Sequence, residues 1–396
     1  ADCAALSPEE QAARAAGNFA FESERHPYFD DYWQQAPITR TGNIDIPVLG
    51  CQSWHDSAVG SRTAELYTAQ APHPDRTWFV GTNGQHGSCL PADADVVRFM
   101  DRYVKGEDNG WETTPHLLVG YDVPVGEVNP PYEREPGPPA AWFSAPAGGA
   151  AAVTPVTLHL HAEGSMGRAP SAAPDSRSFR YPLPSSSSGQ FLMAEPGEMS
   201  GWQIYNAPRG SLSYTTPALV HDVEVVGPAS ADLLVSSTAQ DTDLQVTVTE
   251  VRPDGQEQWL QRGWLRLSHR KLDPDLSTIL RPYHTHREPD AAPLTPNTPV
   301  LARVEVMPFA HVFRAGSSIR LTVEAPTGVT LGHRFDYLKT PAVNTVHHDP
   351  AVGSRLVLGT IPGGRALKPL SACNTVNMEP CRANVIPVPA GRLSLE

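Results

Sequence analysis

Forty of the 396 residues are proline and thirty-one are glycine. Proline cannot continue a helix and donates no hydrogen bond within a sheet, so this many, spread along the chain, exclude long helices. Short strands joined by turns remain, and a loop-rich, mainly β protein is expected. The text beyond residue 140 agrees. Short apolar runs separated by turn signals occur at 156–162, 218–227, 231–239, 244–251, 263–270, 300–309, 318–325 and 354–361. Pro253-Asp254-Gly255 predicts a hairpin turn between two strands. About eight antiparallel strands over this length make a two-sheet jelly roll the most economical arrangement.

The first third has a different rhythm. Ser7 as N-cap, Pro8 and Glu10 open a predicted helix over 7–20, and the aromatic-acidic stretch 26–35 reads as its continuation. Strands are then expected at 44–50, 76–82 and 115–121, with helices near 60–70 and at 93–104. Strands alternating with helices imply a parallel sheet, here with too few strands to stand alone. Residues 122–140 form a proline-rich connector and 183–189 a serine-rich loop. The division expected is 1–35, 36–140 and 141–396.

A net charge of −13 argues against a nucleic-acid partner, which needs a basic face, and against docking on an anionic membrane. No run of eighteen apolar residues suggests a membrane span, and no basic, apolar leader opens this form of the chain. The five cysteines divide by position. Cys373 and Cys381 bracket a short loop that a disulfide could close. Cys51 and Cys89 follow two strands expected to be neighbours, where a bridge is also plausible. Cys3 is left over, as a free thiol or for a partner outside the chain. Five reduced, buried cysteines are the competing reading; two bridges would suit a secreted or extracytoplasmic protein.

Several segments carry a family resemblance. Tyr214-Thr215-Thr216-Pro217, Asp241-Thr242-Asp243, Pro253-Asp254-Gly255, Gly263-Trp264-Leu265-Arg266 and the run 313–323 are similar to the C-terminal jelly roll of the X-Pro dipeptidyl-peptidase and cocaine-esterase family of serine hydrolases. In the first third, 26–33 resembles the segment leaving that family's helical cap. Ser53-Trp54-His55-Asp56 resembles its acid turn, and 80–87 its histidine turn. The resemblance implies a cap remnant at 1–35, the C-terminal part of an α/β-hydrolase domain at 36–140, and a jelly-roll β-sandwich at 141–396.

It also implies chemistry. In such enzymes the acid and base sit on loops after successive parallel strands, so Asp56 would be the acid and His86 the general base. A carboxylate accepting the imidazole N–H fixes the tautomer and stabilises the imidazolium that forms in catalysis. Trp54 and His55 are candidates for the substrate pocket, His55 alternatively for a solvated position. The histidine turn departs from the family by lacking a tryptophan before His86.

No strand-turn-helix elbow of the form Gly-x-Ser-x-Gly precedes Asp56. Gly210-Ser211-Leu212-Ser213-Tyr214 opens an all-β stretch after the histidine and is read as structural. Ser53, Ser57 and Ser61 are expected to bond the backbone of the acid loop. The nucleophilic serine is therefore expected on an upstream segment, of the same precursor or of a separate chain, to which Cys3 could be bridged. The pairs His159/His161 and His284/His286 with Glu288 are read as ordinary residues of a β domain, so no metal and no cofactor are expected. The function expected is hydrolysis of small esters, amides or peptides. The alternative is a non-catalytic jelly-roll scaffold.

Overall fold

The computed structural model describes residues 25–35, 44–56, 60–62, 64, 71–84, 89, 93–122, 142–145, 153–182, 210–326, 338–366 and 368–395. The expected helix over 7–20, most of the one near 60–70, the connector after 122 and the serine-rich loop lie outside them. Within 26–35 the helix is one short turn, α1 (Asp31–Gln34), capped by the Asp30 side chain accepting from Tyr32 N–H.

The first sheet holds β1 (Val48–Ser53), β2 (Thr77–Thr82), β3 (Leu117–Gly120) and β4 (Trp142–Ala145), in that order. β1, β2 and β3 are parallel and β4 is antiparallel. β4 was not foreseen, and it carries this sheet past residue 140, where the sequence suggested a boundary. Between β2 and β3 runs α2 (Asp93–Tyr103). It docks through aromatic residues: Phe99 and Tyr103 pack on the buried Trp78, whose other neighbours are Trp111 and His116. Arg98 donates to Gly110 O at 2.8 Å and holds the helix to the following turn.

The rest is a β sandwich. Its strands are β5 (Thr154–Leu160), β6 (Met166–Gly167), β7 (Asp175–Tyr181), β8 (Ser211–Thr215), β9 (Ala218–Leu219), β10 (Val223–Ser237), β11 (Asp243–Val251), β12 (Gln256–Arg266), β13 (Val300–Phe313), β14 (Ser318–Glu324), β15 (Ala342–His348), β16 (Arg355–Ile361), β17 (Cys381–Ala383) and β18 (Arg392–Leu393). A seven-stranded sheet runs β6-β5-β16-β10-β15-β7 with β13 on the other edge of β10. A five-stranded sheet runs β17-β12-β11-β14-β8, and β18 pairs with β9. The predicted hairpin at 253–255 joins β11 to β12. Ser213 lies within strand β8, as the structural reading of that motif requires.

Two expected strands, 218–227 and 231–239, are instead one. β10 is fifteen residues long and continuous. Gly227-Pro228 reads as a turn but is a β-bulge, where Gly227 takes φ 100° and the register against β13 shifts. A bulge tolerates a proline inside a strand because one residue there is excused from pairing.

The two sandwich sheets bury their alternate positions on each other, Val246, Val248 and Leu321 on one side and Leu233, Val304 and Leu356 on the other. Trp54, Phe79, Leu117 and Val119 belong to the same apolar core, so the first sheet and the sandwich share one interior. β12 runs so close to β13 that a Cβ at Gly263 would meet the backbone carbonyl of Glu305. The outer face of the five-stranded sheet carries charge. Glu257, fully buried, receives Arg320 at 3.1 Å and Arg382 at 3.0 Å, and residues 382–386 cover the group.

Two measurements check this account. Gly263→Ala must push two backbones apart and is expected to cost about 1–3 kcal/mol in urea unfolding. Glu324 reports on pH. Burial pushes its carboxyl up to about 7 from the ordinary 4.5, and Oε2 has no hydrogen-bond partner among the described residues. The folded chain therefore holds this proton more tightly than the unfolded chain does. The stability it contributes is complete below the unfolded value and is lost as pH rises through about 7. Glu324→Gln should gain stability relative to wild type between about pH 5 and about pH 8; a pH-independent difference contradicts the assignment.

Candidate active site

Parallel strands present their C-terminal ends, and the loops that follow them, on one side of a sheet. β1 ends at Ser53 and β2 at Thr82, paired in register to the last residue. The chain beyond β1 turns at Trp54 and His55 to Asp56, whose N–H returns to Ser53 O at 3.2 Å. This turn is stitched to the one after β2. Trp54 N–H donates to Thr82 O at 2.8 Å and His55 N–H to Gly84 O at 3.1 Å. Gly60 N–H caps the Asp56 carbonyl at 3.0 Å, and Gln52 Nε2 lies 3.4 Å from Asp56 Oδ2. Asp56 is thus buried, on a turn fixed from both sides.

His86 lies outside the described residues, as do Ser57 and Cys3. The histidine turn is described as far as Gly84. Up to that point it is tied to the acid turn.

Trp54 lies flat over β2, its ring filling the space where Gly81 lacks a side chain; a Cβ there would strike the ring. His55 is not solvated. Its Nε2 donates to Leu260 O at 2.8 Å, and Gly84 N–H donates to its Nδ1 at 3.3 Å, so the ring is a neutral Nε2–H tautomer. Burial pushes it down to about 3, which keeps it neutral. Trp259 meets it edge-on at 5.3 Å. Gln261 Nε2 donates to Trp54 O at 2.9 Å and to Pro308 O at 3.2 Å, joining the turn to β12 and to β13. Arg62 reaches Glu305 at 2.8 Å and Asn83 Nδ2 reaches Asn377 O at 3.1 Å. The acid turn is therefore wedged against the sandwich.

Ser53 and Ser61 do not bond the backbone as expected. Both hydroxyls are buried without a hydrogen-bond partner among the described residues, as is Thr82 Oγ1 in the neighbouring turn. A disulfide joins Cys51 of β1 to Cys89, with Cα atoms 5.9 Å apart. A second joins Cys373 to Cys381 at 5.5 Å and closes the loop that carries Asn377.

Of the other histidines singled out in the sequence, His161 and His286 have side-chain contacts, whereas His159 Nδ1 and His284 Nε2 are buried without a hydrogen-bond partner among the described residues. His161 contacts Ser165 Oγ at 2.9 Å and Ala169 O at 3.0 Å. His286 is 3.3 Å from His269, which the sequence did not associate with it. Burial, with Arg62 nearby, pushes His284 and His286 down to about 3 and about 4, so both are neutral. One buried group escaped sequence reading: Asp122, His311 and Glu379 converge from remote positions in the chain. No spacing rule links them, and only the fold brings them together.

Parallel strands whose loops carry a buried acid turn, seated on a two-sheet β sandwich, define a mainly β protein of composite architecture. Residues 109–357 match the X-Pro dipeptidyl-peptidase C-terminal non-catalytic domain. The chain belongs to that family. It is 24% identical to the cocaine esterase of a Rhodococcus species over 375 residues, which are 85% of this chain and 60% of the relative. A CocE/NonD family hydrolase from Staphylococcus aureus superposes with a TM-score of 0.67 at 20% identity, covering 89% of this chain and 63% of that one. An aminopeptidase from a marine sediment archaeon of the Thaumarchaeota gives 0.62 at 18%, covering 89% and 62%. The chain spans about 60% of the length of these proteins. Such distant structural likeness speaks for the fold. The family match and the named esterase bear out the resemblance seen in the sequence.

Removing the wedge tests the seam. His55→Ala leaves Leu260 O and Gly84 N–H without partners and opens a cavity, an expected loss of about 2–4 kcal/mol in urea unfolding. A loss below about 0.5 kcal/mol would place His55 among ordinary surface positions.

Proposed function

We propose that this chain supplies the acid and the base of a serine hydrolase of the X-Pro dipeptidyl-peptidase and cocaine-esterase type. Its 36–140 region would be the C-terminal part of an α/β-hydrolase domain, after a cap remnant and before a jelly roll. Asp56 orients His86, and His86 takes the proton of a serine that attacks an ester, amide or peptide carbonyl. The observation carrying this reading is the acid turn itself: Asp56 is buried after β1 and hydrogen-bonded through its neighbours to the turn that leads to His86.

The nucleophile would come from a segment or chain outside this sequence. Two features support a missing neighbour. β1 stands at the edge of its sheet, paired among the described residues with β2 alone. Val97 and Met100 on α2, with Val104 just past its end, are exposed apolar side chains. The two disulfides suit a secreted or extracytoplasmic protein.

One observation favours a non-catalytic binding role. The matched family is described as non-catalytic, and the match at 109–357 excludes both Asp56 and His86. A fluorophosphonate probe, applied to the chain alone and with its upstream segment, separates the two. Labelling only with that segment, with p-nitrophenyl ester turnover reduced about 10⁴-fold in Asp56→Asn and in His86→Ala, supports the hydrolase. Absence of labelling in both forms supports the binding module.

A further inference from the structure

A second set of ionisable groups lies buried where the first sheet meets the sandwich. Asp122 follows β3, His311 is on β13, and Glu379 lies inside the loop closed by Cys373 and Cys381. One ligand-capable atom from each lies within 4.8 Å of the other two. His311 and Glu379 are buried and Asp122 is half-buried.

Hydrogen bonding decides how the imidazole is set. His311 Nε2 is 2.9 Å from Glu250 Oε2, and a carboxylate oxygen accepts, so Nε2 carries the hydrogen. In the neutral ring, Nδ1 is then a bare lone pair. The group it faces is Glu379 Oε2 at 3.7 Å, too far for a hydrogen bond. With the Asp122 carboxylate, three acceptors converge on one buried space. Ionised, they repel each other unless a cation sits among them, and burial accordingly pushes the Glu379 carboxyl up to about 8, so that without a metal it keeps its proton. Each already has an outer partner that orients it. Gln258 Nε2 donates to Glu379 Oε2 at 2.7 Å, Arg314 Nη2 donates to Asp122 Oδ2 at 2.6 Å, and Glu250 holds His311. A ring nitrogen facing the site while the other donates to an outer carboxylate is the arrangement that orients metal-ligating histidines.

The geometry points to a metal site: Asp122, His311 and Glu379 bind one divalent transition ion of the zinc or manganese class. Two carboxylates balance its charge, and the imidazole selects against calcium and magnesium. Bond lengths of about 2.0–2.2 Å need the ligand atoms to close by only a few tenths of an ångström at the His311–Glu379 pair. Bound there, the ion ties the segment after β3, strand β13 and the disulfide loop together. Glu379 Oε1 is 3.9 Å from His55 Nε2, so the site adjoins the acid turn without depending on its chemistry. A proton shared among the three groups is the competing cation.

The test uses the whole chain without a histidine tag, stripped with a chelator, incubated with Zn²⁺ or Mn²⁺ and gel-filtered. Mass spectrometric metal analysis should find about one equivalent retained, with Tm raised by several degrees. Asp122→Asn and Glu379→Gln, folded by circular dichroism, should retain less than about a tenth of that. His269→Gln, which alters the other histidine group, should retain it all. Retention absent in wild type, equal in Asp122→Asn and Glu379→Gln, or lost in His269→Gln overturns the proposal. Should neither carboxylate variant fold, cobalt loading of wild type decides. Stoichiometric uptake with visible ligand-field bands supports the site, and a colourless protein overturns it.

Discussion

Backbone pairing along β10 is the constraint on which the rest of the sandwich hangs. One edge of this strand pairs with β13 through nearly its whole length. The other edge is divided, its first half taking β16 and its last residues β15. The handover falls between Asp232, the last residue paired with β16, and Leu234, the first paired with β15, while the bulge at Gly227 lies within the stretch that β16 spans. β5, β6 and β7 are then placed by pairing with those partners. β13 in turn lies against β12 through the close approach at Gly263 and sets the distance to the five-stranded sheet.

The seam against the first sheet is built differently. Apolar burial joins the two parts through Trp54 and Phe79, but their orientation is fixed by polar groups that can bond in one way only. Gln261 spends its amide on two carbonyls from two elements, and His55 uses both ring nitrogens. Buried groups of this kind carry a large penalty if unpaired, so they select one docking pose over its neighbours. The consequence for function is indirect. Asp56 follows two residues that the sandwich holds, so the acid turn is only as rigid as its contact with β12.

Much of this was legible in the sequence. β2, α2, β11 and β14 fall where periodicity puts them, and the turn residues placed the hairpin at 253–255. Strands escaped notice where their inward positions are polar. β15 buries Asn344 and His348, which read as surface residues until Thr242 and Tyr214 are seen to bond them. β7 buries little besides Phe179 and Tyr181 and resembles a loop. Gly227-Pro228 misled in the opposite sense, because turn chemistry and bulge chemistry use the same residues. At the candidate site, the Trp54–Asp56 turn was found by likeness to a family. The burial of His55 could not have been read there, since its partner is a backbone carbonyl some two hundred residues away.

Asn377, held in the loop that Cys373 and Cys381 close, accepts from Asn83 in the turn after β2. A ribosome delivers the earlier of these segments long before the later one. Until the second has emerged, the Asn83 amide in the first has no Asn377 carbonyl to bond. The contact between these two turns is thereby left to the closing stage of folding, after both segments have been made.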